Sequence, residues 1–414
     1  MRAHYLPEPG KAQPLLCLQF LPIAALTLAK GYGNSCQTVT NRVPPVNGAE
    51  GHFRLPRIDG WDGLRARLRS GYGPGPGEAL PLDFSLHGRP LYSGATVPDS
   101  EKALISRIRR HAVRGTGVAV GIGDDCAVLR IPPGHQALVT TDFTIEGVHF
   151  RRVWHPPEVV GFRCLARGLS DIAAMGGEPQ AAFLSLAVPR TLPQAWINHF
   201  MKGLLGLASA FNVTLAGGDT SESPDGVLAD IVVVGSVPKG QAIQRSKARP
   251  GDRIYVTGEL GGAAAALGEF MAGRKALPKD FPRHFHPGPR VEIGRFLRVK
   301  RLASAMIDLS DGFSTDLAHI CEESGVGAEI LEAAIPRARV GTKENEVDLD
   351  RALHGGEDYE LLFTAPRGKR VPSRIAGVAV TLIGEITRGR RVILKSPNGK
   401  RSPLRPQGWQ HFQK

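Results

Sequence analysis

A chain of 414 residues, 42% hydrophobic and 22% charged, is too long for one ordinary core and long enough for two cored domains. Its formal charge of +13 suits negatively charged partners, but the basic residues are scattered and aromatics are only 6%. That pattern favours phosphate-bearing small molecules over a nucleic-acid surface. No run approaches the ~20 apolar residues of a membrane span, and the widely spaced Cys17, Cys36, Cys126, Cys164 and Cys321 form no C-x-x-C pair, which supports neither a disulfide framework nor a zinc site and reads as a reduced, cytoplasmic protein.

In chain order, residues 1–97 come first, with roughly a quarter of them Gly or Pro. Stretches such as Gly71-Tyr72-Gly73-Pro74-Gly75-Pro76-Gly77 sustain neither helix nor central strand. This part reads as a poorly ordered extension or as upstream sequence from a mis-assigned start. The apolar run 14–29 is broken by Gln19 and Pro22, which argues against a cleaved signal. A helix is expected over 100–111, with Leu104, Ile105 and Ile108 on one face, followed by strands over 118–122, 126–131 and 137–141. A helix over 156–175 carries Val159, Phe162, Leu165, Leu169 and Ile172 at spacings of three and four, opens on Pro156-Pro157 and stops at Gly176-Gly177. A strand over 181–188, a helix over 193–211 and strands over 213–216 and 228–237 complete a first domain, 98–238. A Lys/Arg/Gly/Pro-rich connector leads to a second, 239–414, with strands over 254–257, 304–308, 328–331, 360–364, 379–386 and 392–394 and helices over 261–271, 289–298 and 312–324. The expected class is mixed α/β (α+β) in two domains.

The informative feature is where the acids fall. Gly123-Asp124-Asp125, Thr140-Thr141-Asp142, Gly217-Gly218-Asp219, Asp308-Leu309-Ser310-Asp311 and Gly355-Gly356-Glu357 are each expected where a strand meets a turn, at the mouth of a sheet where α/β proteins bind ligands; Asp171 is expected within a helix. Converging carboxylates repel one another unless cations neutralise them, and an all-oxygen set without His or Cys suits Mg²⁺. Each motif also has a plain reading: Gly-Asp-Asp as a tight turn, Ser310 to Gly312 as a helix cap, Asp171 as an exposed acid, Gly217-Gly218 as a loop. A P-loop and the protein-kinase motif set are both missing from the sequence. Together the acids suit transfer between two phosphates, both reactants being anionic.

The series GIGDDCAVL, TTDFTIEGVHF, LSDIAAMGGEP, GGDTS, RSKARPGD, IDLSDGFSTDLAHI, HGGEDYELLF and GWQHF resembles the thiamine-monophosphate kinase family in order and spacing, from about residue 100 to the C-terminus. The resemblance implies an aminoimidazole-ribonucleotide-synthetase-like fold, a homodimer formed through the N-terminal domains, and ATP- and Mg²⁺-dependent conversion of thiamine monophosphate to the diphosphate. It implies Asp125, Thr141, Asp142, Asp171, Asp219, Asp308 and Asp311 as Mg²⁺ ligands, with Asp124 beside them. Gly218, Arg245, Ser310 and Thr140 would contact ATP, and His149, Glu357 and Trp409 would bind the thiamine phosphate. It implies no general base, and neither nucleic acid nor membrane as a partner.

Several positions depart from the family pattern: Arg163 for a common Lys, Gly168 for Asn, Phe143 for Thr or Ser, Ser221-Glu222 for Thr-Arg, and His354 for Ser. None removes an implied metal ligand. Two alternatives stand beside the kinase: another ATP-dependent synthetase of the same superfamily, or a nucleotide-binding homologue without catalysis.

Overall fold

The computed structural model describes residues 100–113, 115–123, 125–341 and 345–409. The extension expected over 1–97 and Asp124 lie outside the described residues. Helix α1 (Glu101–His111) buries Leu104 and Ile108 and places Arg109, Arg110 and His111 in its last turn, where they favour the helix dipole. A small hairpin of β1 (Val118–Val120) and β2 (Val128–Leu129) follows. The first large sheet is made of β3 (His135–Ile145), β4 (Glu178–Pro189), β5 (Thr214–Ser223) and β6 (Leu228–Pro238), in the order β3-β6-β4-β5. Helix α2 (Pro157–Ala174) leads into β4, and α3 (Gln194–Ala210) links the parallel pair β4 and β5.

Two strands run further than the sequence suggested. β3 continues to Ile145, so Asp142 sits inside a strand, opposite Ile231. β5 continues to Ser223, so Gly217-Gly218-Asp219 is strand rather than turn. The cause is visible at Gly218, whose φ of +141° only glycine adopts easily and where any Cβ would overlap the Leu184 carbonyl. Glycines here let β5 press onto β4 past a register shift at Ala182/Phe183.

The second half holds β7 (Arg253–Thr257), α4 (Gly262–Met271), α5 (Pro282–Phe285), α6 (Val291–Val299), β8 (Ala305–Asp308), α7 (Phe313–Ser324), β9 (Gly327–Leu331), the short pair β10 (Arg339–Val340) and β11 (Asn345–Glu346), α8 (Leu349–His354), β12 (Leu361–Ala365), β13 (Arg374–Ile375), β14 (Val378–Thr387), β15 (Val392–Lys395) and β16 (Arg401–Pro403). Its sheet runs β16-β15-β9-β14-β7-β12-β8, with β13 pairing to β14. Strand alternation divides its core: Tyr255, Met306, Leu361 and Phe363 join one apolar cluster with α2 and α6, while Ile254, Val256, Ile307 and Leu362 join another with α4 and α7. The central strands are therefore buried on both faces, which is why they read as continuous apolar runs.

Candidate active site

Helix α2 carries the centre of the site because it lies against β3, β6, β8, α3 and α6 at once. Three carboxyls meet beside it: Asp142 from β3, Asp171 from α2 and Asp308 from the end of β8. Asp142 and Asp171 stand close enough for the charge of Asp171 to act on Asp142. The Thr140 hydroxyl donates to Asp171, and Ser170 Oγ donates to Asp308 Oδ2 at 2.7 Å. Burial, then the charge of Asp171, pushes both Asp142 and Asp308 up to about 7. Burial raises Asp171 too, against the hydrogen bond from Thr140 and the positive field of Arg245. Arg245 stands in a single 3₁₀ turn, Arg245–Lys247, and also opposes the rise at Asp308. On the opposite face of the first sheet, Thr141 Oγ1 donates to Asp230 at 2.6 Å, and Asp230 adds to the negative field at Asp142.

Burial first, and crowded negative charge second, hold Asp142 and Asp308 protonated up to about neutrality, so the site lacks positive charge. Oxygen donors alone surround that deficit, which fits Mg²⁺ and disfavours a softer metal. A second acidic group adjoins it at the start of α7, where ligand atoms of Asp311, Asp316 and His319 lie within 4.8 Å of one another. The Asp316 carboxyl accepts the backbone N–H groups of Asp311 (3.2 Å) and Gly312 (3.1 Å), and burial together with Asp308 and Asp311 pushes it well up. The expected cap at Ser310 to Gly312 is thus supplied from inside the helix, by Asp316, and no side chain caps from Gly312.

Antiparallel pairing of β12 with β8 brings Leu361 opposite Asp308, so the loop before β12 arrives where β8 ends. That is why Glu357, preceding its strand, reaches the same mouth as acids that follow theirs. The Glu357 N–H donates to the Ser310 carbonyl at 2.8 Å. Its carboxylate accepts from Arg163 Nη2 at one oxygen and from Arg167 Nη2 (2.7 Å) at the other. Burial alone would push this carboxyl up; Arg163 and Arg167 outweigh it and hold it well below the usual carboxylate range. His149 is fixed by the Ile145 N–H, which donates to its Nδ1 at 3.0 Å. Asp358 turns the other way and accepts the Gly261 N–H at the start of α4 (2.7 Å), burial pushing it up to about 7.

The C-terminal segment closes over α7: Gly408 N–H donates to Thr315 Oγ1 (3.0 Å) and Trp409 N–H to the Asp311 carbonyl (2.9 Å), leaving the indole 55% exposed beside the acids. The structure therefore brings together Thr140, Asp142, Asp171, Asp308 and Arg245, and beside them Ser310, Asp311, Glu357, His149 and Trp409. Asp125 and Asp219 are exposed, Asp219 lying on β5 opposite Ser185. Cys126 is exposed, Cys164 and Cys321 are buried, and all three are free. Sequence reasoning missed Arg167, Asp230 and Asp316. Arg163 and Arg167 at spacing i, i+4 were the available signal for a shared carboxylate, hidden inside an apolar stripe.

Two departures have a structural account. A Cβ at Gly168 would strike Val233 of β6, so α2 lies too close to the sheet for a larger residue without displacement. His354 Nδ1 is 2.8 Å from Ser314 Oγ, which ties α8 to α7.

Residues 123–237 match the family described as AIR synthase related protein, N-terminal domain, and residues 249–396 its C-terminal domain. The chain is 38% identical over 306 residues to the thiamine-monophosphate kinase of Escherichia coli K12, covering 71% of this chain and 92% of that one. The crystal structure of thiamine-monophosphate kinase from Stenotrophomonas maltophilia K279a superposes with a TM-score of 0.64 at 35% identity, over 73% of this chain and 97% of that one. AaThiL complexed with AMPPCP and TMP follows at 0.60 and 29%, over 75% and 97%. With its two AIR synthase related domains and this level of identity over nearly the full length of its relatives, the chain belongs to the thiamine-monophosphate kinase family.

Proposed function

We propose that the chain transfers the γ-phosphoryl group of ATP to the phosphate of thiamine monophosphate in one in-line, Mg²⁺-dependent step, giving thiamine diphosphate and ADP. The observation that carries this is the crowded carboxyl set of Asp142, Asp171 and Asp308 next to Glu357, in a member of this family. A relative in complex with AMPPCP and TMP supports the same pair of ligands here. Asp142, Asp171, Asp308 and Asp311, with Asp125 and Asp219, would hold Mg²⁺, which when bound supplies the charge neutralisation that two anionic reactants need, whereas the Thr141 hydroxyl is turned to Asp230 on the other face of β3 and falls outside that set.

The remaining work falls to the chain's own residues. Arg245 is exposed and its positive charge acts on Asp171 and Asp308, which suits it to a nucleotide phosphate. Gly218 and Ser310 would offer backbone and hydroxyl donors, and Thr140 would hold Asp171 in place. Trp409 would cover the cationic thiazolium ring, a cation–π contact worth ~0.5–2 kcal/mol, while His149 and Glu357 orient the acceptor. The Pγ–O bond to ADP breaks as one forms to an acceptor phosphate oxygen. That oxygen is already ionised, so no side chain has to remove a proton, and alignment with charge neutralisation accounts for the rate.

We further infer a cytoplasmic homodimer with its nucleotide and metal functions centred on residues 98–238. Free thiols and an ATP substrate support the compartment. Among the described residues no helix is long and apolar enough to cross a membrane. The open face of the first sheet supports the dimer.

The test is direct: the purified chain with ATP and Mg²⁺, offered thiamine and thiamine monophosphate in parallel. Diphosphate is expected from the monophosphate alone, and Asp308→Asn, which keeps shape and loses charge, is expected to lower kcat by ~100-fold or more. Wild-type protein that makes no diphosphate overturns the assignment.

A further inference from the structure

Arg167 sits one helical turn beyond Arg163 on α2, with its side chain 11% exposed. Each of its three guanidinium nitrogens has a different acceptor. Nε donates to the Tyr359 hydroxyl at 2.9 Å, Nη1 to the Phe143 carbonyl, and Nη2 to Glu357 Oε1 at 2.7 Å. These acceptors come from β3 and from the loop before β12, so one planar fork joins three segments far apart in sequence. A lysine ammonium also has three N–H donors, but all on one nitrogen at the end of a flexible stem, so it cannot reproduce a planar fork whose three nitrogens reach three separate acceptors.

The segments it joins are the two halves of the site. Phe143 follows Asp142, a member of the acidic cluster, and Glu357 is the acidic group of the substrate pocket. Glu357 and Tyr359, the two loop residues Arg167 grips, have φ of +66° and +51°, left-handed backbone that non-glycine residues adopt only when surrounding contacts hold them there. Arg163 shares the Glu357 carboxylate, but its Nη1 turns instead to His155 and His284. Arg163 anchors the carboxylate, and Arg167 fixes where the loop stands relative to the acids.

Resting on the kinase reading above, we propose that Arg167 is a positioning residue for the phosphoryl acceptor: it sets Glu357, and with it thiamine monophosphate, at a fixed distance from the Asp142 cluster. Its loss acts on one substrate. In Arg167→Met the KM for thiamine monophosphate rises at least tenfold, kcat falls, and the KM for ATP changes less than twofold. Arg167→Lys, which keeps the charge without the fork, shows the same pattern. The effect passes through Glu357, so adding Arg167→Met to Glu357→Gln raises KM little further.

Steady-state kinetics of wild type, Arg167→Met, Arg167→Lys, Glu357→Gln and the Arg167→Met/Glu357→Gln double variant test this, with circular dichroism and thermal unfolding as the fold control. Equal rises in both KM values, wild-type behaviour of Arg167→Lys, or full additivity with Glu357→Gln overturns it. Should Arg167→Met not fold, Tyr359→Phe removes one arm of the fork alone; an unchanged KM for thiamine monophosphate in Tyr359→Phe and Arg167→Lys then overturns it equally. A wild-type chain without kinase activity refutes the function instead, and the two failures are distinct.

Discussion

His155 and His284 face each other across the interior, Nε2 to Nε2 at 2.9 Å, with Arg163 Nη1 3.3 and 3.4 Å from the same two atoms. Burial, then the charge of Arg163, lowers His155 to about 4 and His284 well below the ordinary imidazole range. Both rings are therefore neutral at physiological pH, so one Nε2 can accept from Arg163 and keep that guanidinium aimed at Glu357. In the unfolded chain each histidine gains a proton as pH falls below about 6.5, whereas folded His155 does so only near 4. Its contribution to stability is complete above pH 6.5, declines as pH falls and levels off below about 4, a loss of about 3 kcal/mol. Thermal and urea unfolding between pH 7 and 4 should show a shallower decline for His155→Gln than for wild type; matching slopes would refute the account. At this scale Asp308 was legible as the acid that closes a strand, whereas Asp142 was expected at a strand end and sits inside β3, and Asp171 was expected within a helix and lies in α2. The arginine and histidine pair beneath Glu357 was not legible, since nothing local distinguishes a buried Arg163 from a solvated one until its partners arrive from residues 155, 284 and 357.

Close contact between helices is what lets α2 reach so many partners. A Cβ on Gly161 of α2 would overlap the Phe200 carbonyl of α3, one on Gly203 of α3 would overlap the Glu158 carbonyl of α2, and one on Gly294 of α6 would overlap the Ala173 carbonyl. Backbone therefore meets backbone on two sides of α2, and in each case the obstacle is a main-chain atom that cannot swing away. Gly161→Ala is expected to destabilise by about 1–3 kcal/mol through overpacking. Gly206→Ala, on α3 with nothing within 4 Å of the added carbon, is the matched control and should be neutral or stabilise by about 0.5–1 kcal/mol. Equal unfolding midpoints for the two variants would remove the close-approach explanation. Helix positions such as α2 and α3 were readable from apolar periodicity and their Pro and Gly boundaries. Strand lengths were not: Asp142 and Gly217 to Asp219 have low strand propensity, and only pairing with β6 and β4 overrides it.

In the first sheet, one face packs under the helices and the other does not. Leu138, Thr140, Asp142 and Thr144 of β3 point toward α2, whereas Val139 and Phe143 are 67% and 54% exposed on the far side, next to the 36% exposed Leu228 of β6. The β1–β2 hairpin covers only the region near Ala181, Ala216 and Val234. From sequence, β3 offered apolar residues at both parities, so which face was open could not be read without the register to β6. An antiparallel sheet tolerates one solvated face when that face is polar; here two large side chains of the outermost strand stand in water, which is the pattern of a surface awaiting a partner. A second copy of the same face is the occupant inferred above, and a stable dimer would need to bury about 800 Å² on each subunit. Light scattering of the wild-type chain should then give twice the monomer mass. Val139→Asp combined with Phe143→Asp places four carboxylates in a two-fold interface without touching the helix-facing side of β3, so the variant should run as a folded monomer. A wild-type monomer at micromolar concentration, or a charged variant that still dimerises, would show that this face is not where the copies meet.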